Sequence, residues 1–411
     1  MKIAFIVDSF PKLSETFILD QITSLIDLGH DIRIFSVWSR INEQAVHSDV
    51  AVYGLLERTA WPAPTPRSRF VRPFIAAWLL LAGLFTSPYR TIPLFRLLVA
   101  NLRDFSLRKL RFLMAFPSDD FDVVHCHYGH NGILALQLRQ IGALSSRTKI
   151  VATFHGYDEH IQPVEALRAQ YKPLFREAAL LTVNTLFTRN KIVELGADPE
   201  KVVVLPVGLR MDRFVPCAKD PSPGRVVRIL SVARLVEKKG LTYAIDAIAL
   251  LKDRFSLAYT IAGDGPLRAQ LEEQVRRLGL GSVVSFAGAV NQALILEMYA
   301  RADIFLLPSV TAGNGEMEGQ GLVLQEAQAC GIPVVSTLHN GIPEGVLDGQ
   351  TGVLVQEKDA KALASAIEIL VNDASKRREF GAKGREWVEA RYDIRRLSDR
   401  LTQEYERLAS L

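Results

Sequence analysis

Short apolar runs alternate with helical patterns along the first half of the chain. The runs are KIAFIV, DIRIFSV, FDVVHCH, KIVATFH, LLTVN and KVVVLP, and the stretches between them carry apolar residues at helical spacing, such as Ile18, Ile22 and Leu25. Strands separated by helices predict βαβ units, whose right-handed crossovers make the strands parallel. Residues 1–205 are therefore expected to form a Rossmann-like α/β domain.

A second series of the same kind follows a break in the periodicity. Residues 206–225 are rich in proline, glycine and charge, which favours a linker. The strands expected after it are VRILSVAR, LAYTIAG, VVSFAG, DIFLLPS, IPVVST and GVLV, giving a second domain over residues 226–390. Residues 391–411 are expected to form a final helix with an apolar face from Ile394 to Leu408. Two parallel-sheet domains facing each other predict a deep interdomain cleft, a preferred place for a small-molecule site.

The composition is that of a folded globular protein, with 411 residues of which 48% are hydrophobic and 23% charged. The formal charge of +4 is unremarkable, and no nucleic-acid partner is expected. The first strand begins without a signal-peptide pattern, and Cys126, Cys217 and Cys330 form neither a metal spacing nor a disulfide framework. A cytoplasmic location is the expectation.

Residues 67–115 are basic as well as apolar. Between Arg67 and Arg111 the sequence has nine basic residues and one acid, Asp104. The run PFIAAWLLLAGLF is shorter than the roughly 20 residues that span a bilayer. Two interpretations stay open. One is helices lying on an anionic membrane surface, on the inner face of the membrane; the other is ordinary packed helices whose arginines reach water.

The strongest chemical signal is the segment LPSVTAGNGEMEGQGLVLQEAQACGIPVVST. A buried strand is expected to end at Pro308, a glycine-rich loop carries Glu318, and a helix begins near Gly321 with Glu326 in its second turn. A helix N-terminus offers free N–H groups to an anion, and a carboxylate just inside it can accept both hydroxyls of a ribose. The alternative is a loop with two solvated glutamates.

Two cations, Arg234 and Lys239, follow the strand in SVARLVEKKGL. They suit a diphosphate, because arginine forms forked hydrogen bonds and lysine acts as a point charge. Alternatively, Arg234 pairs with Glu237 and Lys239 is solvated. The nearby IAGDGPLR, with Gly263 and Gly265, fits either a structural turn or a loop that contacts a base.

Histidines and an acid follow two strands of the first half, in VVHCHYGHNG and VATFHGYDEH. They are His125, His127, His130, His155, Asp158 and His160. Cysteine and carboxylate partners at zinc-like spacing are missing, so no metal site is predicted. His125 is expected to face the core. His155 could orient a hydroxyl or donate a hydrogen bond to developing charge, and its alternative role is structural.

Together these motifs resemble the nucleotide-sugar half of glycosyltransferase family 4, retaining enzymes of the two-domain GT-B fold. The matching elements are Glu318–x(7)–Glu326, the Arg234/Lys239 pair, GDGPLR, EGQGLVLQEAQACGIPVVST and GIPEGVLDGQTGVLV. FPKLSETFILDQI, HYGHNG, TFHGYD and PSVTAGNGEMEG resemble a narrower set, the colanic acid and amylovoran type exopolysaccharide glycosyltransferases. The resemblance covers nearly the whole chain and is weakest over residues 45–115.

The resemblance implies a donor-binding role for each matching residue. Arg234 and Lys239 would bind the donor diphosphate, and Glu326 the ribose hydroxyls. Glu318 and the backbone from Gly319 to Leu322 would bind the donor sugar. The residues expected to bind the donor are Arg234, Lys239, Gly263, Gly265, Glu318, Gly319, Gln320, Gly321, Leu322 and Glu326.

The resemblance also places His155 near the reacting face of the sugar. The candidate catalytic residues are therefore His155, Glu318, Arg234 and Lys239. Such enzymes need no divalent metal and no other cofactor, because the cations and a helix terminus neutralise the leaving diphosphate. Their last helix typically crosses back onto the first domain.

The first loop departs from the family pattern, since many relatives carry a Gly-Gly pair where this chain has SFPKLSETF. The nucleotide is then expected to be held mainly by the second domain, with the first loop facing the acceptor and the sugar-phosphate edge of the donor. Lys12 could reach a phosphate and Glu15 a sugar hydroxyl, although Glu15 could instead be a first-turn acid favoured by the helix field. The residues expected on the acceptor side are Lys12, Glu15, His127, His130 and Asp158.

The implied reaction transfers a hexosyl group from a nucleoside-diphosphate sugar to a hydroxyl of a saccharide, with retention of anomeric configuration. A UDP-hexose is the favoured donor and GDP-mannose an open one, and the acceptor is expected to be a lipid-diphosphate-linked oligosaccharide. Two alternatives remain: a nucleotide-sugar epimerase on the same scaffold, and a catalytically silent subunit of a polysaccharide assembly complex.

Overall fold

The structure, a computed structural model, describes residues 1–12, 15–40, 47–100, 106–117, 119–156, 163–216 and 225–410. The chain divides into two compact units. The first contains Met1–Val183, Arg189–Leu205 and Ser398–Leu411, and the second contains Asn184–Thr188 and Pro206–Leu397. Of the residues interpreted as a linker, 206–216 belong to the second unit and 217–224 lie outside the described ranges.

The first unit is built on a parallel sheet. Its strands are β1 (Lys2–Val7), β2 (Asp31–Ser36), β3 (Thr59–Ala60), β4 (Val123–His127), β5 (Lys149–Phe154), β6 (Leu180–Val183) and β7 (Val202–Val204). They stand in the order β3-β2-β1-β4-β5-β6-β7, and each neighbouring pair is parallel. The central strands are buried on both faces, which is why they are continuous apolar runs.

The helices of the first half connect these strands. They are α1 (Thr16–Asp27), α2 (Ser48–Val52), α3 (Arg72–Thr86), α4 (Pro88–Ala100), α5 (Leu107–Ala115), α6 (Gly129–Gln140), α7 (Val164–Glu177) and α8 (Leu186–Glu194). None of the helices in the part of the chain that the structure describes has the length and apolar character needed to cross a membrane.

The second unit repeats the architecture. Its strands are β8 (Val227–Val232), β9 (Leu257–Ala262), β10 (Val284–Gly288), β11 (Ile304–Leu307), β12 (Val334–Thr337) and β13 (Gly352–Val355), in the sheet order β10-β9-β8-β11-β12-β13. Its helices, the last of which ends in the first unit, are α9 (Leu241–Ala249), α10 (Arg268–Arg277), α11 (Gln292–Arg301), α12 (Leu322–Ala329), α13 (Ile342–Gly345), α14 (Ala360–Asn372), α15 (Ala374–Tyr392) and α16 (Ile394–Ala409). The prediction of two Rossmann-like parallel-sheet domains is confirmed.

Each described sheet has a topological switch point, where the connections from two neighbouring strands leave in opposite directions. It lies between β1 and β4 in the first sheet and between β8 and β11 in the second. Ligands of open α/β sheets bind at the carboxyl ends of the strands that flank such a point. The loops after these four strands are therefore the first places to look for chemistry.

Aromatic and branched side chains fill the space between each sheet and its helices. In the first unit, the ring of Phe35 on β2 lies 4.4 Å from that of Phe116 and 5.8 Å from that of Phe121, measured between centroids. In the second unit, Ile245 and Ile248 lie on the buried face of α9. Fully burying one such side chain contributes about 1.5–3 kcal/mol.

Gly381 allows close packing between α15 and the turn after α12. A Cβ atom at this position would lie 2.0 Å from the carbonyl oxygen of Gly331, a distance that no real contact reaches. The two backbones touch only because residue 381 has no side chain.

We predict that Gly381→Ala destabilises the second unit by roughly 1–3 kcal/mol, the usual cost of overpacking. The change must outweigh the helix propensity of alanine, which alone would stabilise α15 by about 1 kcal/mol. Thermal unfolding followed by calorimetry measures it. Gly281→Ala is the matched control, because a Cβ there meets nothing within 4 Å. Equal unfolding midpoints for the two variants would contradict the packing argument.

Candidate active site

Two cations lie beyond the carboxyl end of β8. Arg234 is exposed, and its side chain has no hydrogen bond or ion pair within the described ranges. Lys239 ends a short 3₁₀ turn, Glu237–Lys239, which stops at Gly240 with a φ of 65°. A Cβ at Gly240 would lie 1.8 Å from the carbonyl oxygen of Pro308, so this turn packs directly on the chain just after β11.

Lys239 forms an ion pair with Glu318, and both side chains are only 15% exposed. Lys238 donates a hydrogen bond from Nζ to the carbonyl oxygen of Met317 at 3.1 Å. Burial opposes ionisation of Glu318, but the charge and hydrogen bond of Lys239, followed by the charge of Lys238, hold the pKa of this carboxyl below its usual value. The loops after β8 and β11 are thus joined across the switch point by a charged pair.

The alternatives considered from the sequence do not hold for this cluster. Neither Lys239 nor Glu318 is solvated. Glu237 is not paired with Arg234 within the described residues; its Oε1 accepts a hydrogen bond from the backbone N–H of Gly313 at 2.9 Å. The guanidinium of Arg234 is left exposed, whereas the Lys239–Glu318 pair is largely buried.

His339 and Asn340 fix the backbone of Glu318. His339 Nε2 accepts a hydrogen bond from the Glu318 N–H at 3.1 Å, so its proton lies on Nδ1, which donates to Glu357 at 2.6 Å. Asn340 Nδ2 donates to the Glu318 carbonyl oxygen at 3.0 Å. Sequence reasoning missed both residues, although they lie two and three positions after the strand segment VVST, at the same sheet edge.

Helix α12 begins at Leu322, its N-cap residue is Gly321 with a φ of 72°, and no side chain caps it in the described structure. The side chain of Gln320 is bound to the backbone of Val207, accepting from its N–H at 2.8 Å and donating to its carbonyl oxygen at 3.0 Å. Of the segment Gly319–Leu322, Gln320 therefore offers a ligand its backbone rather than its side chain. Glu326 is half-buried, and its Oε2 accepts from the hydroxyl of Tyr299 at 2.8 Å.

Gly263 and Gly265 hold the loop after β9 against the loop that carries Arg234. A Cβ at Gly263, where φ is 134°, would lie 1.9 Å from the carbonyl oxygen of Ala233. A Cβ at Gly265 would lie 2.6 Å from that of Leu235. The structural reading of these glycines is thus supported, and their contact with a donor stays a prediction.

The first unit has a polar cluster at its own switch point. Asp8, directly after β1, accepts hydrogen bonds from His130 Nε2 at 2.7 Å and Asn131 Nδ2 at 3.0 Å. Burial opposes its ionisation, but these donors and the charge of His130 hold the pKa of Asp8 below its usual value. Asp8 and Asn131 were missed from the sequence, although Asp8 stands at a strand end.

Lys12 and Glu15 form an ion pair in the first loop. Glu15 is buried, and its Oε1 also accepts from the hydroxyl of Tyr128 at 3.1 Å. Glu15 precedes α1 but makes no side-chain capping hydrogen bond. Its carboxylate, at the start of α1, is therefore bound by the side chains of Lys12 and Tyr128 and does not cap the helix.

Three imidazoles stack across β4 and β5. The ring centroids of His125 and His127, and those of His127 and His155, are 5.1 Å apart, with the planes within 7° of each other. His127 Nδ1 lies 2.9 Å from His155 Nε2, so one of them donates and the other accepts. His127 thereby orients His155.

Two imidazoles of the stack, those of His125 and His127, are neutral. Burial first, and then the neighbouring imidazoles, lower the pKa of His125 to about 3 and that of His127 well below its ordinary value. His125 faces the core as expected, bound to the hydroxyls of Tyr405 and of Thr153, the latter at 2.6 Å.

The remaining predicted residues are placed as follows. His130 is exposed, and its Nε2 forms a hydrogen bond with Asp8. Asp158 and His160 lie outside the described ranges. Among the residues that the structure does describe, no three His, Cys, Asp or Glu side chains are grouped to hold a metal ion.

Two family models together match most of the chain. Residues 218–387 match the model described as glycosyl transferases group 1, and residues 14–208 match the glycosyl transferase 4-like domain. The two matches fall on the second and first sheets respectively.

Comparison with individual proteins over nearly the whole chain also finds glycosyltransferases. WcaL of Salmonella typhimurium, a candidate colanic acid biosynthesis glycosyltransferase, is 37% identical over 372 residues, covering 89% of this chain and 90% of WcaL. The amylovoran biosynthesis glycosyltransferase AmsK of Erwinia amylovora is 35% identical over 375 residues, with the same coverage of 89% and 90%.

Among solved structures, Alr3699/HepE of Anabaena in complex with UDP and glucose has a TM-score of 0.70 over 100% of both chains, at 19% identity. This likeness concerns the fold alone, which is that of GT-B glycosyltransferases. Both family matches and the identity to WcaL and AmsK over nine tenths of their length show that this chain belongs to the group 1, family 4-like glycosyltransferases.

Proposed function

We propose that this glycosyltransferase moves a hexosyl group from a nucleoside-diphosphate sugar to a saccharide hydroxyl, with retention and without a divalent metal. The proposal is carried by one observation at the switch point of the second sheet: Arg234 is exposed and has no side-chain partner among the described residues, and its loop also carries Lys239, which forms a largely buried ion pair with Glu318. Cations in that position suit a diphosphate, since ligands of such sheets bind there.

The ion pair with Glu318 leaves Lys239 able to bind a phosphate. An ammonium group has three N–H donors, and the bond to Glu318 uses one of them. The carboxylate fixes where the ammonium sits, so that further donors can point at a phosphate. Arg234 adds a forked guanidinium, which binds two phosphate oxygens at once.

Glu326 and the start of α12 complete the proposed donor site. The hydroxyl of Tyr299 holds one oxygen of Glu326, which reduces the number of orientations that this carboxylate can take. In the proposal Glu326 binds the ribose hydroxyls, while Glu318 and the backbone of Gly319–Leu322 bind the transferred sugar. His155 stays a proposed hydrogen-bond partner of that sugar, on the family resemblance alone.

The proposed chemistry uses positioning and electrostatics. The bond between the anomeric carbon and the donor phosphate oxygen breaks, and the acceptor oxygen bonds to the same face of that carbon. The acceptor proton passes to the departing phosphate oxygen, so no protein nucleophile is needed. Arg234 and Lys239 stabilise the charge that develops on the leaving diphosphate, the task that a metal ion performs in other enzymes.

The names of the relatives suggest the pathway. WcaL and AmsK are named for colanic acid and amylovoran biosynthesis, and we propose that this chain likewise helps to assemble an exopolysaccharide, on a lipid-linked oligosaccharide at the inner face of the membrane. A UDP-hexose is the proposed donor and GDP-mannose the alternative. An epimerase or a silent assembly subunit would lack acceptor-dependent turnover.

We predict that one nucleoside diphosphate binds the wild-type protein equally well with and without EDTA, and that Glu326→Ala weakens it about 10- to 100-fold. The loss follows from removing hydrogen bonds to a charged group, which contribute about 1.5–3 kcal/mol. Calorimetric titration with UDP, GDP and ADP makes the measurement. Glu273→Ala, at an exposed position of α10, is the control.

Each outcome of this titration has a distinct meaning. Unchanged affinity in Glu326→Ala would refute the ribose assignment. Binding that EDTA abolishes would refute metal independence. If no nucleotide binds, the donor site as proposed is wrong, and the result favours the alternative that the chain is a catalytically silent assembly subunit.

We predict that Arg234→Ala lowers turnover roughly 10²–10³-fold, the usual effect of removing one group that stabilises developing charge. Because Arg234 is exposed and unpaired within the described residues, the variant should unfold at the wild-type temperature. Lys239→Ala should lose as much activity but also stability, since it leaves Glu318 buried without its partner. Release of nucleoside diphosphate, with and without acceptor, measures turnover.

Arg277→Ala, at an exposed site on α10, is the matched control for the loss of a surface cation. Turnover of Arg234→Ala within a few-fold of the control would remove the diphosphate assignment. Nucleotide release without any acceptor would favour the epimerase. An inverted anomeric centre in the product, read by NMR, would refute retention.

A further inference from the structure

Helices α3 and α4 present large apolar side chains to the surface. On α3 and the turn before it, these residues recur every three or four positions and so lie on one helical face: Phe70, Phe74, Trp78, Leu81 and Phe85. Phe70 is 87% exposed, Phe74 76% and Phe85 89%. On α4 the exposed residues are Tyr89, Ile92, Phe95 and Val99. We refer to these nine side chains as the apolar stripe.

The opposite face of α3 is already used by the fold. Ala76 and Gly83 are buried, and a Cβ at Gly83 would lie 2.6 Å from Thr91 Oγ1, so α3 and α4 pack tightly together. Leu79 and Leu80 pack on the core of the first unit. Helix α3 is thus apolar on both sides, and only one side is covered. Soluble domains rarely expose a contiguous apolar patch of this kind unless something binds it.

The segment that carries the apolar stripe has charges of one sign. Residues 67–100 contain five arginines and no acidic residue. Arg72 and Arg90 donate to backbone carbonyl oxygens, of Pro66 at 3.1 Å and Phe116 at 2.9 Å.

The other three arginines are Arg67, Arg69 and Arg96. They are exposed and form no ion pair with a residue that the structure describes.

We infer that the apolar stripe docks on an anionic lipid bilayer, with α3 and α4 lying in the plane of the headgroups. Helix α3 has 15 residues and is about 22 Å long, against a hydrocarbon core of about 30 Å, so it lies on the bilayer rather than across it. Trp78 and Tyr89 are amphipathic aromatics of the kind that collects at headgroup level. The exposed arginines meet the negative surface potential of anionic lipids.

A second copy of the chain fits the same surface less well. A two-fold interface places a patch against itself, which would bring the arginines of both copies together with no acid between residues 67 and 100 to offset them. A bilayer provides the apolar layer and the complementary charge at once. The inferred docking does not depend on which donor or acceptor the enzyme uses.

The experiment is sedimentation of the full-length protein with vesicles of phosphatidylcholine alone and of phosphatidylcholine mixed with phosphatidylglycerol. The combined variant Phe74→Ser, Trp78→Ser, Phe85→Ser should bind the mixed vesicles at least about a hundredfold more weakly. The reason is that it loses the favourable free energy of transferring three apolar side chains from water into the bilayer. Its control, Val52→Ser, Val164→Ser, Leu250→Ser, removes three other exposed apolar side chains and should bind normally. Replacing Arg67, Arg69 and Arg96 by glutamine should weaken binding roughly fivefold per residue.

Binding to mixed vesicles that falls in both the stripe variant and the arginine variant supports the inference. It is overturned if the wild-type protein binds neither vesicle, if both vesicles bind equally, or if the stripe variant binds as well as its control. A concentration-dependent dimer that the stripe variant dissolves, without vesicle binding, would assign the surface to a second copy instead. All the replaced side chains are exposed, so unchanged thermal unfolding should accompany every variant.

Discussion

Parallel strands joined by right-handed crossovers bring all their carboxyl ends to one edge of a sheet, and the chemistry of this protein depends on that constraint. Lys239 and Glu318 are 79 residues apart in the chain, yet they pair because β8 and β11 are neighbours at the switch point. Asp8 and His130, 122 residues apart, meet for the same reason beside β1 and β4. The charged groups are close without any local sequence relation.

The two units use this edge with different electrostatics. In the second unit, cations surround a carboxylate whose pKa is held below its usual value, so the cluster is charged at neutral pH. In the first unit, burial keeps His125 and His127 neutral, so they act by donating and accepting hydrogen bonds. The charged cluster of the second unit is the proposed diphosphate site, whereas the neutral imidazoles of the first unit can act only as hydrogen-bond partners.

The local pattern predicted the strands well, because a buried parallel strand is a continuous apolar run with turn residues at its ends. It missed β3, which has two residues and hence no periodicity. The motif residues Arg234, Lys239, Glu318 and Glu326 were found because strand ends and helix starts are themselves local features. The contacts that hold these residues in place were not predicted. His339 accepts from the backbone N–H of Glu318, and Gln320 binds the backbone of Val207, 113 residues away. Such contacts depend on packing that no short stretch of sequence specifies.

The first unit is discontinuous, since residues from Ser398 onward belong to it. Helix α16 buries Leu401 and Tyr405 there, Tyr405 binds His125, and Thr402 Oγ1 lies 2.9 Å from His30 Nε2. These residues are synthesised after the whole of the second unit. The nascent chain therefore exposes part of the first core throughout synthesis of the second unit, and the first unit reaches its native state only after α16 has emerged.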